Sequence, residues 1–391
     1  MTVRVTKPEF NLREKISELD RPVGLHGNEI LKSETPQDTF DLVGTGRKNL
    51  VINGGMTVSQ RHGTSETTPA HTGYGPDRMR FDLSQSSKLK VQQVTDAPAG
   101  FSHSMKVTSL SAYSSGSSDY FLLQNMIEGT DSARLRWGTS DAQTVTLSFY
   151  VKSSLTGVHA CGIRNNAYNR GITGTYEIKS PNVWERKTVT FPGDTSGSWN
   201  VDTNAGLKLN FDLGSGSSFQ AASTGTWLAT NDFITSNSVK VVGTNAATWY
   251  ITGIQLETGS LTTPFEHRSF GDTLMDCYRY YVKLYTNTSD FPFGYGYKYQ
   301  STEHAISVPL PTRMRTTPTC TFANLRIRGG NTTGVNNSES VTSIGGMAFS
   351  HGNFQSFTAN TNASSATIGH TVVLTNAVSN STSYINFDAD Y

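Results

Sequence analysis

The order of apolar and polar positions divides the chain near residue 48. Before that point the spacing is helical. Leu12, Ile16 and Leu19 recur at helical intervals behind Phe10, and Arg13, Glu14, Lys15 and Glu18 take the other faces. Thr6-Lys7-Pro8-Glu9 has the order of a capping box: a hydroxyl for the open amides, then a carboxylate three residues later. Arg21-Pro22 ends this helix, and a second short one is expected within 28–32 or 36–42, before Gly44-Thr45-Gly46. A single narrow apolar stripe on so short a helix does not fold alone. Phe10, Leu12, Ile16 and Leu19 therefore form a candidate docking set, either for the later domains of this chain or for a partner.

After residue 48 the period becomes two. Val145, Leu147, Phe149 and Val151 alternate with Thr146, Ser148, Tyr150 and Lys152, and Leu207, Leu209, Phe211 and Leu213 alternate with Lys208, Asn210 and Asp212. This is the pattern of antiparallel strands with one face inward. Further strands are expected at 101–108, 184–191, 238–242, 249–256, 305–310, 319–327, 346–350, 367–374 and 384–391. Serine-glycine clusters such as 114–118 and 214–218 supply the turns. Residues 269–283 break the pattern: Leu274, Cys277 and Tyr281 suit a short helix with Asp272 as its cap. The fold class predicted is all-β, tandem jelly-roll-like β-sandwich domains behind a short helical N-terminal anchor. The expected divisions are 1–48, 49–268 and 269–391.

Composition sharpens this. Only 35% of the 391 residues are hydrophobic and 16% are charged, while 36 are glycine. Serine, threonine and asparagine fill the difference, which favours turns and half-buried strands. The net charge is +1, without the concentrated cationic run that nucleic-acid binding requires. No apolar run approaches the roughly 18 residues of a membrane-spanning helix, so no membrane insertion is expected. Cys161, Cys277 and Cys320 are odd in number and far apart, which argues against a disulfide framework or a zinc site.

Searching for chemistry yields little. Nucleophile-elbow, zinc-protease and phosphate-loop motifs are absent, and the nine histidines lack ligand spacing. Asp388 and Asp390, roughly 6.5–7 Å apart if on one strand face, have a separation that overlaps that of inverting glycosidases, but a solvated polar face explains them as well. Cofactors are expected to be none. A structural calcium ion could draw on Asp77, Asp82, Asp202 or Asp212, although no calcium-loop motif is present. The strongest binding feature is aromatic. Phe291, Phe293, Tyr295, Tyr297 and Tyr299 occupy alternate positions with Gly294 and Gly296 between them. Such rings can fill a core, line a subunit interface or stack on sugars, and the glycines suggest a close neighbouring backbone. Tyr295, Tyr297, Tyr299 and Trp137 are the candidate glycan contacts, and Tyr113, Tyr120 and Trp137 could form a second aromatic surface.

Three stretches carry a resemblance. They are NLVINGGMTVSQR at 49–61; WYITGIQLE at 249–257 with TPFEHR at 263–268; and CYRYY at 277–281 with MRTTPT at 314–319 and FDAD at 387–390. In this order they resemble β-sandwich domains of phage tail-fibre and other virion proteins, and VTKPEFNLREK at 5–15 resembles the leader of such proteins in short-tailed phages of marine bacteria. The resemblance implies a virion structural protein with a carbohydrate-binding-module-like jelly roll, and the missing catalytic motifs add the expectation that it is not an enzyme. The resemblance further implies a homotrimeric tail fibre assembled in the host cytoplasm, with other phage tail or head proteins and a host surface glycan as partners. A capsid decoration or head-fibre protein and a polysaccharide-degrading fibre are the alternatives. Deleting residues 1–46 is expected to abolish incorporation into particles while the β domains stay folded. Truncated protein found in purified particles would contradict the anchor.

Overall fold

The computed structural model describes Lys32 and residues 47–391, apart from 287, 289–290, 331–335, 352–353, 363–366 and 377–382. The helical readings before residue 47, with Phe10, Leu12, Ile16 and Leu19, lie outside the described residues.

Two antiparallel sheets pack face to face across residues 72–258. One has the order β1 (Thr72–Tyr74), β2 (Arg80–Leu83), β5 (Phe121–Glu128), β10 (Ala205–Asp212), β7 (Gly157–Arg164) and β8 (Gly171–Ile178). The other has the order β3 (Leu89–Val94), β4 (Ser104–Ser109), β11 (Thr248–Thr258), β6 (Val145–Ser153) and β9 (Glu185–Phe191). Alternate residues of each sheet meet in one core. Phe149 of β6 contacts Phe211 of β10 and Tyr176 of β8 edge-on, at 5.0 and 4.9 Å between centroids. Buried side chains of this size contribute roughly 1.5–3 kcal/mol each.

The sequence pattern underestimated burial. Lys208, Asn210 and Asp212, the polar positions of β10, are as buried as its leucines, because the chain after β10 folds back over that face. Every residue of β5 is buried, so its sequence shows no simple alternation. Residues 238–242 form no strand. They lead into a single 3₁₀ turn, Val241–Gly243, whose valines plug the core.

A bulge at Gly253, as its place in the strand suggested, shifts the pairing of β11 with β6 between Thr252 and Gln255, with φ at +63°. The Asn53-Gly54-Gly55 turn differs from expectation: Asn53 and Met56 take the positive φ angles, 59° and 56°. Gly54 serves close approach instead, since a Cβ there would lie 2.0 Å from the Ile254 carbonyl oxygen. Asn49 completes this closure. Its Nδ2 donates to Ile254 O (3.0 Å), and its Oδ1 accepts from Val51 N and Leu256 N (both 3.0 Å). Phe265 covers the end of the sandwich against Phe101. Glu266 accepts from Asn49 N at 2.8 Å, and Arg268 pairs with Asp276 rather than with Glu266.

Besides the turn α1 (Gly129–Ser132), the described helix is α2 (Phe270–Tyr278). Its cap is Ser269, whose Oγ accepts from Asp272 N at 3.1 Å; Asp272 is the third residue of the first turn. Beyond it, β12 (Tyr281–Thr286), β20 (Ser383–Asp388) and β15 (Thr319–Ala323) form a small sheet. The remaining six strands close into a barrel in the order β13 (Pro292–Lys298), β14 (Glu303–Pro309), β18 (Phe354–Thr361), β17 (Asn336–His351), β16 (Leu325–Gly330) and β19 (Thr371–Asn376). The second β region thus curls one sheet on itself, which removes exposed strand edges.

Residues 49–391 form one compact unit, and a buried polar seam joins the sandwich to the small sheet. Arg78, 3% exposed, lies 3.5 Å over the Tyr280 ring, pairs with Asp390 and donates to the Met126 carbonyl. Arg61 is held between the rings of Tyr74 (3.9 Å) and Tyr281 (3.8 Å) and reaches Asp388 at 3.0 Å and Asp390 at 3.5 Å. Arg279 forks onto Glu128 at 2.8 and 2.5 Å, and Tyr280 OH donates to the same carboxylate at 2.9 Å. Asp390 is therefore buried in the seam, away from the open face considered from sequence, whereas Asp388 pairs with Arg61 at its edge with a side chain 38% exposed. Asp390→Ala would leave Arg78 buried without its carboxylate, and a loss of about 3–5 kcal/mol is expected, read as a lowered midpoint in equilibrium denaturation. An unchanged midpoint would contradict this reading of the seam.

Candidate functional site

The aromatic run lies on β13 at the barrel surface. A register shift against β19 between Pro292 and Gly294 turns Phe293 inward, where it is 3% exposed. After the shift Tyr295, Tyr297 and Tyr299 all face outward, exposed by 58%, 50% and 53%. The five rings thus do not share a face. Gly294 and Gly296 point the other way, and a Cβ at Gly296 would lie 1.8 Å from the Ala305 carbonyl oxygen. The close backbone implied by the glycines is the neighbouring strand β14 of the same barrel.

Small and hydroxylated residues flank the ladder. Tyr295 is opposite Ser307 on β14 and Val373 on β19, while Tyr297 is opposite Ala305 and Thr371. Ser307 in turn shares a hydrogen bond with Ser356 of β18 at 2.9 Å. Three aromatic faces therefore stand above a low surface of mixed hydroxylated and small apolar residues. Such rings can cover the apolar face of an amphipathic ligand while the phenol oxygens and nearby hydroxyls bind its polar edge.

Trp137 occupies a different place, at one end of the sandwich. It is 8% exposed and packs edge-on against Trp199 and Trp227, with centroids 4.8 and 5.1 Å away. Its Nε1 donates to the Gln143 carbonyl at 2.7 Å. Trp199 donates to Asp194 at 3.0 Å, and Arg170 binds that buried carboxylate through two nitrogens at 2.9 and 2.6 Å. Beside this cluster is a cleft of about 370 Å³ lined by Trp137, Trp199, Arg136, Thr139, Asp141 and Asn200, among others. Its size is within the range of small-ligand sites. Trp199 and Trp227 were not singled out from sequence, because their indoles converge from loops remote in the chain.

The second aromatic surface considered from sequence does not form. Tyr113 donates to Asp119, Tyr120 packs on Phe219, and Trp137 belongs to the tryptophan cluster. The four aspartates weighed for calcium are also apart in role. Asp77 accepts from Gln60, Asp82 pairs with Arg80, Asp202 binds Asn204, and Asp212 caps Gly214 and Ser215. Among the described residues no group of three or more histidine, cysteine or acidic side chains is placed to hold a metal ion.

No family model matches the chain, and no curated protein does. Solved structures with partial likeness include the enzymatically active domain of tailspike protein 4 from bacteriophage CBA120, with 12% identity and a TM-score of 0.28, covering 54% of this chain and 21% of that one. A CBM61 module in complex with β-1,4-galactotriose has 12% identity and a TM-score of 0.28, covering 55% and 100%. The family 11 carbohydrate-binding module of a cellulosomal cellulase from Clostridium thermocellum has 13% identity and a TM-score of 0.27, covering 51% and 99%. Likeness at this level identifies neither a family nor a ligand.

The two sets of rings should separate in a stability measurement. Trp137→Ala is expected to cost about 3–5 kcal/mol as a buried aromatic, and Tyr297→Ala no more than about 0.5 kcal/mol as a surface change. Denaturant titration of both variants checks this; equal effects would mean that Tyr297 is structural.

Proposed function

We propose that this chain is a non-catalytic structural component of a bacteriophage particle that binds glycan through the Tyr295, Tyr297 and Tyr299 ladder. In this reading it is a trimeric tail fibre docked through residues 1–48, with residues 269–391 turned toward the host surface. The particle assignment rests on the three ordered sequence motifs. The glycan assignment rests on one observation: exposed rings at Tyr295 and Tyr297 of β13 and at Tyr299 just past its end, set among serine, threonine, alanine and valine.

That setting is why a sugar is preferred over a sister subunit as the ladder's partner. The core of a subunit interface is continuous and largely apolar, whereas hydroxyls border these rings. The non-catalytic reading is supported by Asp388 and Asp390, the carboxylate pair weighed for glycoside hydrolysis, which are both occupied by arginines in the seam.

The test replaces Tyr295, Tyr297 and Tyr299 together by alanine and measures binding to host surface polysaccharide by calorimetry, with sedimentation in parallel. With about 0.5–1.5 kcal/mol per aromatic contact, affinity should fall at least about tenfold while the oligomeric state stays as in the wild type. Loss of association with unchanged sugar binding would make the ladder a subunit contact and overturn the proposal.

A further inference from the structure

The tryptophan cleft at the end of the sandwich belongs neither to the seam nor to the tyrosine ladder. Its apolar lining includes Leu135 and Leu207, both fully buried, and Trp137, which is 8% exposed. The cleft opens to solvent. Val201 is 67% exposed in it, Arg136, Thr139 and Asp141 are exposed as well, and Trp199 and Asn200 are half-buried.

Its walls are fixed by bonds within the protein. Both indole N–H groups are committed: Trp137 Nε1 donates to the Gln143 carbonyl at 2.7 Å and Trp199 Nε1 to Asp194 at 3.0 Å. What these rings can offer a ligand is therefore carbon surface. Gln143 N closes the same loop on the Leu135 carbonyl at 2.8 Å, and Gly138 N is tied to the Asp194 carbonyl at 2.7 Å. Arg136 follows the 3₁₀ turn Ala133–Leu135 with φ at +54°. Glycine or asparagine fills such a left-handed position at least cost. An arginine kept there must be held by its surroundings, and residues held in this way gather at ligand sites.

The polar side chains of the cleft keep binding capacity in hand. Among the described residues the Arg136 guanidinium and the Asp141 carboxylate make no ion pair and no hydrogen bond. Asn200 uses its Nδ2 on the Ala205 carbonyl at 3.1 Å, and its Oδ1 accepts from no described residue. Arg136 can only donate, whereas Asp141 and Asn200 Oδ1 can only accept. A ligand rich in hydroxyls satisfies all three, because each hydroxyl both donates and accepts.

Resting on the reading that this chain binds glycan, we propose that the cleft is a second site, which takes a mono- or disaccharide unit. A pyranose would lay its C–H face on Trp199 and Val201 and turn its hydroxyls to Asp141, Arg136 and Asn200. The volume of about 370 Å³ is at the small end of ligand clefts, which suits a short saccharide and not a long chain. The row of rings on the barrel has the opposite preference, since it gains contacts as a chain lengthens. A zwitterion would also meet Arg136 and Asp141, but it would leave the indole surface without an apolar partner.

The experiment follows tryptophan fluorescence of the full-length protein during titration with the methyl glycosides of galactose, glucose, mannose, rhamnose and N-acetylglucosamine. The disaccharide and hexasaccharide of whichever sugar binds are then titrated, with glutamine as the zwitterionic control. The ladder contains no tryptophan, so the signal reports on the sandwich. At least one methyl glycoside should change the emission at millimolar concentration, and affinity should level off at the disaccharide. Asp141→Ala and Arg136→Gly alter exposed side chains, and the second also relieves the positive φ. Each should weaken binding by about tenfold with circular dichroism unchanged. The Tyr295, Tyr297 and Tyr299 alanine variant should bind the short saccharide as the wild type does, even where it has lost the polysaccharide, so failure of one site is told apart from failure of the other. No response to any of the five sugars, affinity that keeps rising to the hexasaccharide, undiminished binding in either cleft variant, or a response to glutamine alone would each overturn the proposal.

Discussion

The structure depends on a buried exchange of charge between arginines and carboxylates, framed by tyrosine rings. Arg61 and Arg78 come from the start of the sandwich, Asp388 and Asp390 from the end of the chain, and Tyr74, Tyr280, Tyr281 and Tyr391 enclose them. Burying one such charge alone would cost several kcal/mol. Here each guanidinium meets both a carboxylate and a ring face, and Gln60 ties Asp77 to the Tyr281 carbonyl at 2.5 and 2.8 Å. Geometry this restrictive leaves little freedom in how the small sheet meets the sandwich. The seam thereby sets where the barrel, and the ladder on it, stands relative to the sandwich faces.

The motifs that carried the sequence resemblance acquire a physical meaning from this arrangement. Asn49 and Gly54 close the opening loop on Ile254 of the closing strand. Gln60, Arg61, Tyr280, Tyr281, Asp388 and Asp390 build the seam. Met314-Arg315 belongs with them, since Arg315 lies 4.0 Å over the Tyr391 ring and donates to Ala389 O at 2.9 Å. Short segments far apart in the chain are thus parts of one joint. They mark how the domains are assembled, and the tyrosine ladder proposed to bind glycan lies elsewhere.

Strand alternation made the all-β class legible, because in β6 and β11 the side chains of one face form the shared core. Where both faces of a strand are covered, the signal vanished. β5 is buried throughout, and the polar side of β10 reads as solvated although Lys208 and Asn210 are enclosed. No local pattern announces that a loop will return over a sheet. The same limit applies to the sites. The tyrosine ladder was visible as spacing, but the register shift that sends Phe293 inward and its neighbours outward is a property of the pairing with β19. The tryptophan cluster arises from residues as far apart in the chain as Trp137, Trp199 and Trp227. Asp388 and Asp390 were found as a pair, yet their arginine partners lie some 300 residues earlier.

If the seam governs the architecture, sandwich and barrel should unfold together. All five tryptophans, Trp137, Trp184, Trp199, Trp227 and Trp249, lie in the sandwich region, so their fluorescence reports on it alone. Hydrogen exchange of the β13, β14 and β19 amides, followed by mass spectrometry across the same denaturant series, reports on the barrel. One shared transition with the same midpoint for both probes is the predicted result. A barrel that loses protection at lower denaturant while the tryptophan signal stays native would contradict the account.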